Sequence, residues 1–122
     1  MKYQNICIIG DGLAGLTTAM ALKDLNLNFD LFYKKLGKKK NVDKRTTSIS
    51  DTNYKFLGEI IDLKKQSFIW PCHEINLFFE DKDKYINFLN FKEKKTNLLY
   101  TFENFKLKKL FFERLKKEKK VN

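Results

Sequence analysis

The first 33 residues contain two short apolar runs, and between them lies a stretch with apolar side chains at helical spacing. Residues 6–9 form an apolar run with β-branched side chains, which is typical of a strand buried on both faces. Apolar residues near helical spacing then predict a helix from about residue 13 to residue 25, and residues 29–33 predict a second strand. The pattern therefore predicts a strand–helix–strand unit.

The middle of the chain has the pattern of a short helix followed by a hairpin. A cap at Asp51 or Thr52 precedes apolar positions that suit a short helix. Residues 75–80 have the alternation of a strand, residues 81–84 are polar, and residues 85–91 form a second strand-like segment. We therefore predict an antiparallel hairpin over residues 74–91, which would begin a further layer.

Residues 103–120 have the pattern of a basic amphipathic helix. Its apolar stripe follows the spacing i, i+3, i+4, i+8, with lysines elsewhere, and consists of Leu107, Leu110, Phe111 and Leu115. No internal repeat or low-complexity linker divides the chain. The sequence thus predicts an α/β fold in a single domain, residues 1–122, whose first 35 residues form the strand–helix–strand unit.

Three glycines follow the first predicted strand at the spacing of a dinucleotide-binding turn. Gly10 allows the chain to turn sharply out of the strand. Gly12 leaves the backbone open to a pyrophosphate, and Gly15 lets the next helix pack closely on the strand. The ligand's charge would lie at the helix N-terminus. Because the motif has this strand–helix context, we interpret it as a nucleotide site rather than as a structural turn.

The acidic residue that would bind the ribose hydroxyls is missing from its expected position at the end of the second strand. Tyr33 stands there, followed by Lys34 and Lys35. A tyrosine hydroxyl can make a hydrogen bond but cannot hold two hydroxyls as a carboxylate does. A lysine there would favour a ribose phosphate, as in NADP binding, or would simply be solvated.

Composition narrows the classes of function. A chain of 122 residues with 43% apolar residues suits one folded domain rather than a disordered protein. No apolar run is long enough to span a bilayer, and the N-terminus lacks a secretory pattern, so we expect a cytoplasmic protein. Cys7, Cys72 and the single histidine, His73, do not have the spacing of a metal site, and adjacent Cys72 and His73 are a poor catalytic pair.

The net charge of +10 comes from two basic segments, residues 34–45 and residues 106–120. Together they carry a net charge of +12, and the rest of the chain carries −2. Such segments could bind acidic phospholipid at a membrane surface or nucleic acid. We favour the simpler interpretation of a flexible loop and a solvated lysine face, and we do not expect nucleic-acid binding.

Three stretches make nearly the whole chain resemble the N-terminal part of the FAD-dependent aromatic hydroxylases, most closely the ubiquinone-biosynthesis group. The first is the glycine turn within residues 8–16. The second discriminates best, because Asp43-Lys44-Arg45-Thr46-Thr47 is followed by a helix with the pair Phe56-Leu57. The third is Tyr100-Thr101-Phe102-Glu103-Asn104 ahead of Leu107. Pro71 and Ile75 also fall where a proline and the first strand of the substrate-side sheet would be expected.

The resemblance implies a Rossmann-like FAD-binding fold and roles for individual residues. Those that would contact FAD are Gly10, Gly12, Leu13, Ala14, Gly15, Tyr33, Lys34 and Arg45. Leu13 and Ala14 would supply backbone N–H groups, and Arg45 a charge-assisted or bidentate contact. The equal alternative for Arg45 is a surface arginine in a basic loop. NAD(P)H would be the electron donor of the complete enzyme.

The family's chains are considerably longer, and their later parts carry an Asp-Gly stretch and a Gly-Asp motif, neither of which is found after Asn104 here. We therefore expect a truncated or split monooxygenase that is inactive alone, contains no catalytic residue, and needs a second chain carrying the missing motifs. The alternatives are a basic interaction module and a decayed remnant without a stable fold.

Overall fold

The N-terminal unit forms as the apolar pattern predicts. Strands β1 (Gln4–Ile9) and β2 (Leu27–Phe32) pair in parallel, and helix α1 (Leu13–Leu22) connects them. The helix ends earlier than predicted, because the chain turns after Leu22 so that β2 can begin at Leu27. The computed structural model describes residues 4–33, 43–82 and 84–118.

A three-stranded antiparallel sheet follows, which the pattern did not predict. Its strands are β3 (Thr46–Ser50), β4 (Ile69–Cys72) and a later strand, β7 (Leu99–Glu103), in the order β3-β7-β4. Helix α2 (Asp51–Ile60) starts directly after β3. Pro71 is tolerated in β4 because this strand lies at the sheet edge.

The cap of α2 differs from the prediction. The Ser50 hydroxyl accepts a hydrogen bond from the Asn53 N–H at 3.3 Å, so the predicted cap at Asp51 or Thr52 was wrong. Asp51 instead occupies the first turn, where its carboxylate interacts favourably with the helix dipole. The physical reason is that β3 runs directly into α2 and leaves the serine at the boundary.

The predicted hairpin is present as β5 (Glu74–Asp81) and β6 (Lys84–Lys92), paired antiparallel. The register shifts at a bulge between Leu77 and Phe78. Lys82 lies in the connecting turn with φ 44°, the left-handed conformation that tight turns use.

The last helix, α3 (Asn104–Leu115), packs on α1 and completes the core. Leu107, Phe111 and Leu115 are buried and Leu110 is partly buried, as the apolar stripe predicts. The core residues of the described chain are Ile8, Leu16, Ala19, Met20, Phe29, Leu57, Ile61, Leu63, Phe68, Phe102, Leu107, Phe111 and Leu115. The predicted α/β fold class is thereby confirmed. Within the described ranges, no helix is both long and apolar enough to cross a membrane.

Candidate nucleotide-binding site

The glycine turn has the geometry that its spacing predicts. Gly10 has φ 109°, and its N–H donates to the Phe32 carbonyl at 2.8 Å, which fixes the turn beside the end of β2. A Cβ at Gly15 would overlap the carbonyl oxygen of Gly10, so the close packing of α1 on the turn requires glycine there. A Cβ at Gly12 would meet nothing within 4 Å. Gly12 therefore borders open space.

Helix α1 begins at this turn. Gly12 is the N-cap and provides no side-chain hydrogen bond, and the first helical bond runs from the Leu16 N–H to the Gly12 carbonyl at 3.0 Å. Helix geometry leaves the N–H groups of Leu13, Ala14 and Gly15 without acceptors inside the helix. Together with the helix dipole, these donors form a site suited to an anion.

One face of α3 forms the opposite side of the candidate site. Asn104 N–H donates to the Arg45 carbonyl at 3.0 Å, and Lys108 Nζ lies 3.1 Å from Asp11 Oδ2. One turn further on, the Phe112 and Tyr33 rings contact each other with their centroids 5.3 Å apart. The four-residue spacing along α3 thus brings the glycine turn, the end of β2 and the Arg45 segment together.

Lys108 is a site residue that the sequence pattern did not identify. It lies within the lysine face that we interpreted as solvated, yet only 27% of its side chain is exposed. Its ammonium group lies beside Asp11, in the turn between Gly10 and Gly12, and also contributes to lowering the pKa of Asp43. The sequence signal is weak, because the packing of α3 on α1 decides which lysine faces the turn.

Arg45 is placed near the site through its backbone, while its guanidinium pairs with Asp43. Nε and Nη2 donate to the two carboxylate oxygens at 2.8 and 2.9 Å, and 81% of the arginine side chain is exposed. Hydrogen bonds from Arg45 lower the pKa of Asp43 to about 2, and the same contact raises the pKa of Arg45. To contact a ligand, the Arg45 guanidinium would have to break its ion pair with Asp43 or bind Asp43 and the ligand at the same time.

Asn104 has a buried acceptor at the start of α3. Its Oδ1 has no hydrogen-bond partner in the described structure. A buried oxygen without a donor is unfavourable by about 1–3 kcal/mol, which a donor such as a sugar hydroxyl would relieve. This orphaned acceptor belongs to the first residue of α3, whose backbone N–H contacts the Arg45 segment.

The remaining candidate residues do not line the glycine turn, or they lie outside the described residues. Tyr33 is half-exposed next to the turn, whereas Lys34 lies outside the described residues. The Cys72 thiol donates to the Glu74 carbonyl, away from the glycine turn, and His73 is exposed. In the described ranges, no group of three or more His, Cys, Asp or Glu could hold a metal ion. An open cavity of about 660 Å³ near the end of α2 is not lined by any of the predicted site residues.

The structure is similar to solved structures of 2-methyl-3-hydroxypyridine-5-carboxylic acid oxygenase. The tetrameric form of that oxygenase matches 100% of this chain and 32% of its own, with TM-score 0.69 and 17% identity. A single-residue mutant matches 99% of this chain and 31% of its own, with TM-score 0.67 and 18% identity. The chain thus spans about a third of the length of these oxygenases.

Comparisons of the sequence alone, unlike the comparison of structures, find no match. No protein-family model matches the chain, and no curated protein matches it. The structural likeness shows that the chain shares its fold with a part of this oxygenase. The chain therefore has the fold of one part of such an oxygenase.

Proposed function

We propose that this chain is the FAD-binding portion of a flavin-dependent aromatic-ring monooxygenase, of the ubiquinone-biosynthesis group. The observation that carries the proposal is the open space at Gly12 beside the uncapped N-terminus of α1, in a fold matched by oxygenases. The hairpin would begin the substrate-side sheet.

The residues present fit the pyrophosphate and the adjacent sugar of FAD. The pyrophosphate would bind at the N–H groups of Leu13 and Ala14, with Gly12 allowing its approach. Lys108 would offset the charge of Asp11 at the edge of the turn, and Asn104 Oδ1 would accept from a hydroxyl. When bound, the flavin would supply the oxygen chemistry of ring hydroxylation, with NAD(P)H as donor of electrons in the complete enzyme.

The experiment is a titration of the purified chain with FAD, followed by flavin fluorescence, on wild type and Gly12→Val. An added Cβ at Gly12 would meet nothing within 4 Å, so we expect the variant to fold, while the valine side chain would block the approach of the pyrophosphate. We expect at least tenfold weaker binding, about 1.4 kcal/mol.

Gly58→Ala is the matched control, because Gly58 is an exposed helix glycine of α2 whose added Cβ would also meet nothing within 4 Å. This variant should bind FAD like wild type. The proposal is wrong if the wild-type chain does not bind FAD. Equal affinity of wild type and Gly12→Val would place the flavin elsewhere.

The basic-module alternative receives no comparable support from α3. Lys106 pairs with Glu103 at 2.8 Å and Lys109 lies 3.8 Å from Glu113, while Lys108 faces the glycine turn. Carboxylates on this helix and directly before it therefore reduce the field that an acidic lipid surface would meet.

A further inference from the structure

The Asp43 carboxylate holds the Arg45 guanidinium in one orientation. Arg45 Nε donates to Asp43 Oδ1 at 2.8 Å, and Nη2 donates to Oδ2 at 2.9 Å. The Arg45 backbone N–H also donates to Oδ1, at 3.1 Å, which ties the carboxylate to the main chain of the same arginine. Together these contacts restrict the rotation of a long side chain that is mostly exposed.

This contact occupies only one edge of the guanidinium. An arginine side chain has five N–H donors in a planar fork, and the Asp43 carboxylate accepts one from Nε and one from Nη2. The edge formed by Nη1 and Nη2 keeps its donors, and within the described ranges no acceptor lies against them. Two parallel N–H groups of this kind are what arginine uses to bind a phosphate in a bidentate way.

The pair of Asp43 and Arg45 lies beside the glycine turn. The Arg45 carbonyl accepts from the Asn104 N–H at 3.0 Å, which fixes its backbone at the start of α3. Lys108 follows one helical turn later, and its ammonium group lies 3.1 Å from Asp11 in the glycine turn. The same ammonium group is close enough to Asp43 to help lower the pKa of that carboxyl. Helix α3 therefore places the arginine and the turn on one side of the candidate site.

Charges of opposite sign alternate from the turn to the arginine, in the order Asp11, Lys108, Asp43 and Arg45. If Asp43 acted only through its negative charge, its removal would strengthen the binding of an anion at this site. If it acts by orienting the guanidinium, its removal would weaken that binding, because the arginine would lose its fixed orientation. The two roles therefore predict effects of opposite sign.

We propose that Asp43 is a positioning residue, which holds the Arg45 guanidinium so that its Nη1–Nη2 edge binds a phosphate of the ligand while the ion pair stays intact. This inference rests on the proposed function in taking a nucleotide pyrophosphate as the ligand. The phosphate would lie between the donors at the N-terminus of α1 and the free edge of Arg45.

Orientation of the guanidinium before the ligand arrives favours binding. A free, exposed arginine has many rotamers, and ordering it on binding costs conformational entropy. The contact with Asp43 removes part of that freedom already in the unliganded protein. A guanidinium that first left Asp43 would instead lose two charge-assisted hydrogen bonds as it bound the phosphate. The intact pair is therefore the arrangement that we infer for the bound state.

The test is a titration of the full chain at one ionic strength, with FAD by flavin fluorescence and with inorganic pyrophosphate by calorimetry. We expect about fivefold weaker binding for Asp43→Asn, whose amide oxygen can still accept from the Arg45 backbone N–H. In the Arg45→Met background the same substitution should no longer weaken binding. Asp24→Asn is the matched control, because Asp24 pairs with Lys23 at 2.7 Å beyond the other end of α1, and it should bind like wild type.

Unchanged or tighter binding of Asp43→Asn overturns the inference, and so does an equal loss in the wild-type and Arg45→Met backgrounds. Circular dichroism checks that each variant folds. NMR of the Arg45 Nε–H in wild type is a second measurement: its protection from solvent exchange should persist when the ligand binds, and its loss would show that the arginine leaves Asp43.

The two ligands separate this inference from the proposed function. If pyrophosphate binds with the expected dependence on Asp43 and Arg45 but FAD does not bind, only the proposed function is contradicted. If FAD binds without that dependence, only this inference is contradicted. A chain that binds neither ligand contradicts both.

Discussion

At the scale of single residues, the notable feature is a carboxylate inside the glycine turn. Asp11 lies between Gly10 and Gly12, where its negative charge would repel a pyrophosphate. Lys108 offsets that charge from 3.1 Å away. The ion pair therefore reduces the repulsion that an anion would meet at the turn. The Lys108 ammonium group can also donate a hydrogen bond to a phosphate oxygen.

We predict that Lys108→Met weakens FAD binding about tenfold, because one charge-assisted contact at a partly buried site contributes on the order of 1.5 kcal/mol. Fluorescence titration at fixed ionic strength measures the affinity. Lys109→Met is the control, since Lys109 is 65% exposed and lies against Glu113. Affinities that fall equally in both variants would show a general effect of charge rather than a contact at the turn.

The two kinds of site residue differ in how far the sequence could predict them. Gly10 and Gly15 were predictable, because their backbone constraints act between near neighbours in sequence. Lys108 and Asn104 were not, since their roles depend on how α3 lies against α1. Arg45 was expected to contact the cofactor or to be a surface arginine; its pairing with Asp43 is compatible with both and decides neither.

At the scale of elements, the hairpin is held together on one face by Glu74. Hydrogen bonds from Lys92, Asn90 and Asn76 lower the pKa of Glu74 to about 2 from its usual 4.5. A carboxyl with a lowered pKa stabilises the folded form above its unfolded pKa, and that contribution is lost as the pH falls through the folded value.

We therefore predict that protection of the hairpin amides against hydrogen exchange decreases between about pH 4.5 and pH 2. Lys92→Met should raise the Glu74 pKa toward 4.5, because the lysine provides the largest of the contacts that lower it. Amide hydrogen exchange at each pH measures the protection, and NMR titration of the Glu74 carboxyl measures its pKa. A pKa near 4.5 in wild type would show that the network does not form in solution.

The pattern predicted the longer elements better than the short sheet. The hairpin and α1 have the alternation or helical spacing that local rules recognise. Strand β3 is only five residues long and mostly Ser and Thr, and β7 is as short, so neither gave a signal. Strands β3 and β7 are separated by about half the chain, and only the tertiary structure determines that they pair.

At the scale of the whole molecule, the core excludes the hairpin. The buried cluster joins α1, α2, α3 and the two other sheets, with Phe111 fully buried. We infer that this core unfolds cooperatively, whereas the hairpin opens locally at lower free energy.

We predict that Phe111→Ala lowers the free energy of unfolding by about 3–5 kcal/mol, the usual effect of removing a fully buried phenylalanine. Urea unfolding followed by circular dichroism measures it. Phe105→Ala, on the same helix but 43% exposed, should cost much less. A broad, non-cooperative transition in wild type would instead support the decayed-remnant alternative.

The ion pair between Asp11 and Lys108 also has a consequence for the order of events during synthesis. Its members are 97 positions apart, and the α1–α3 packing spans a similar separation. The glycine turn is translated first, and its counter-charge, on the helix that packs on α1, follows 97 positions later. Until then the nascent turn lacks its cation, so the candidate site is complete only once α3 has been translated and has docked on α1.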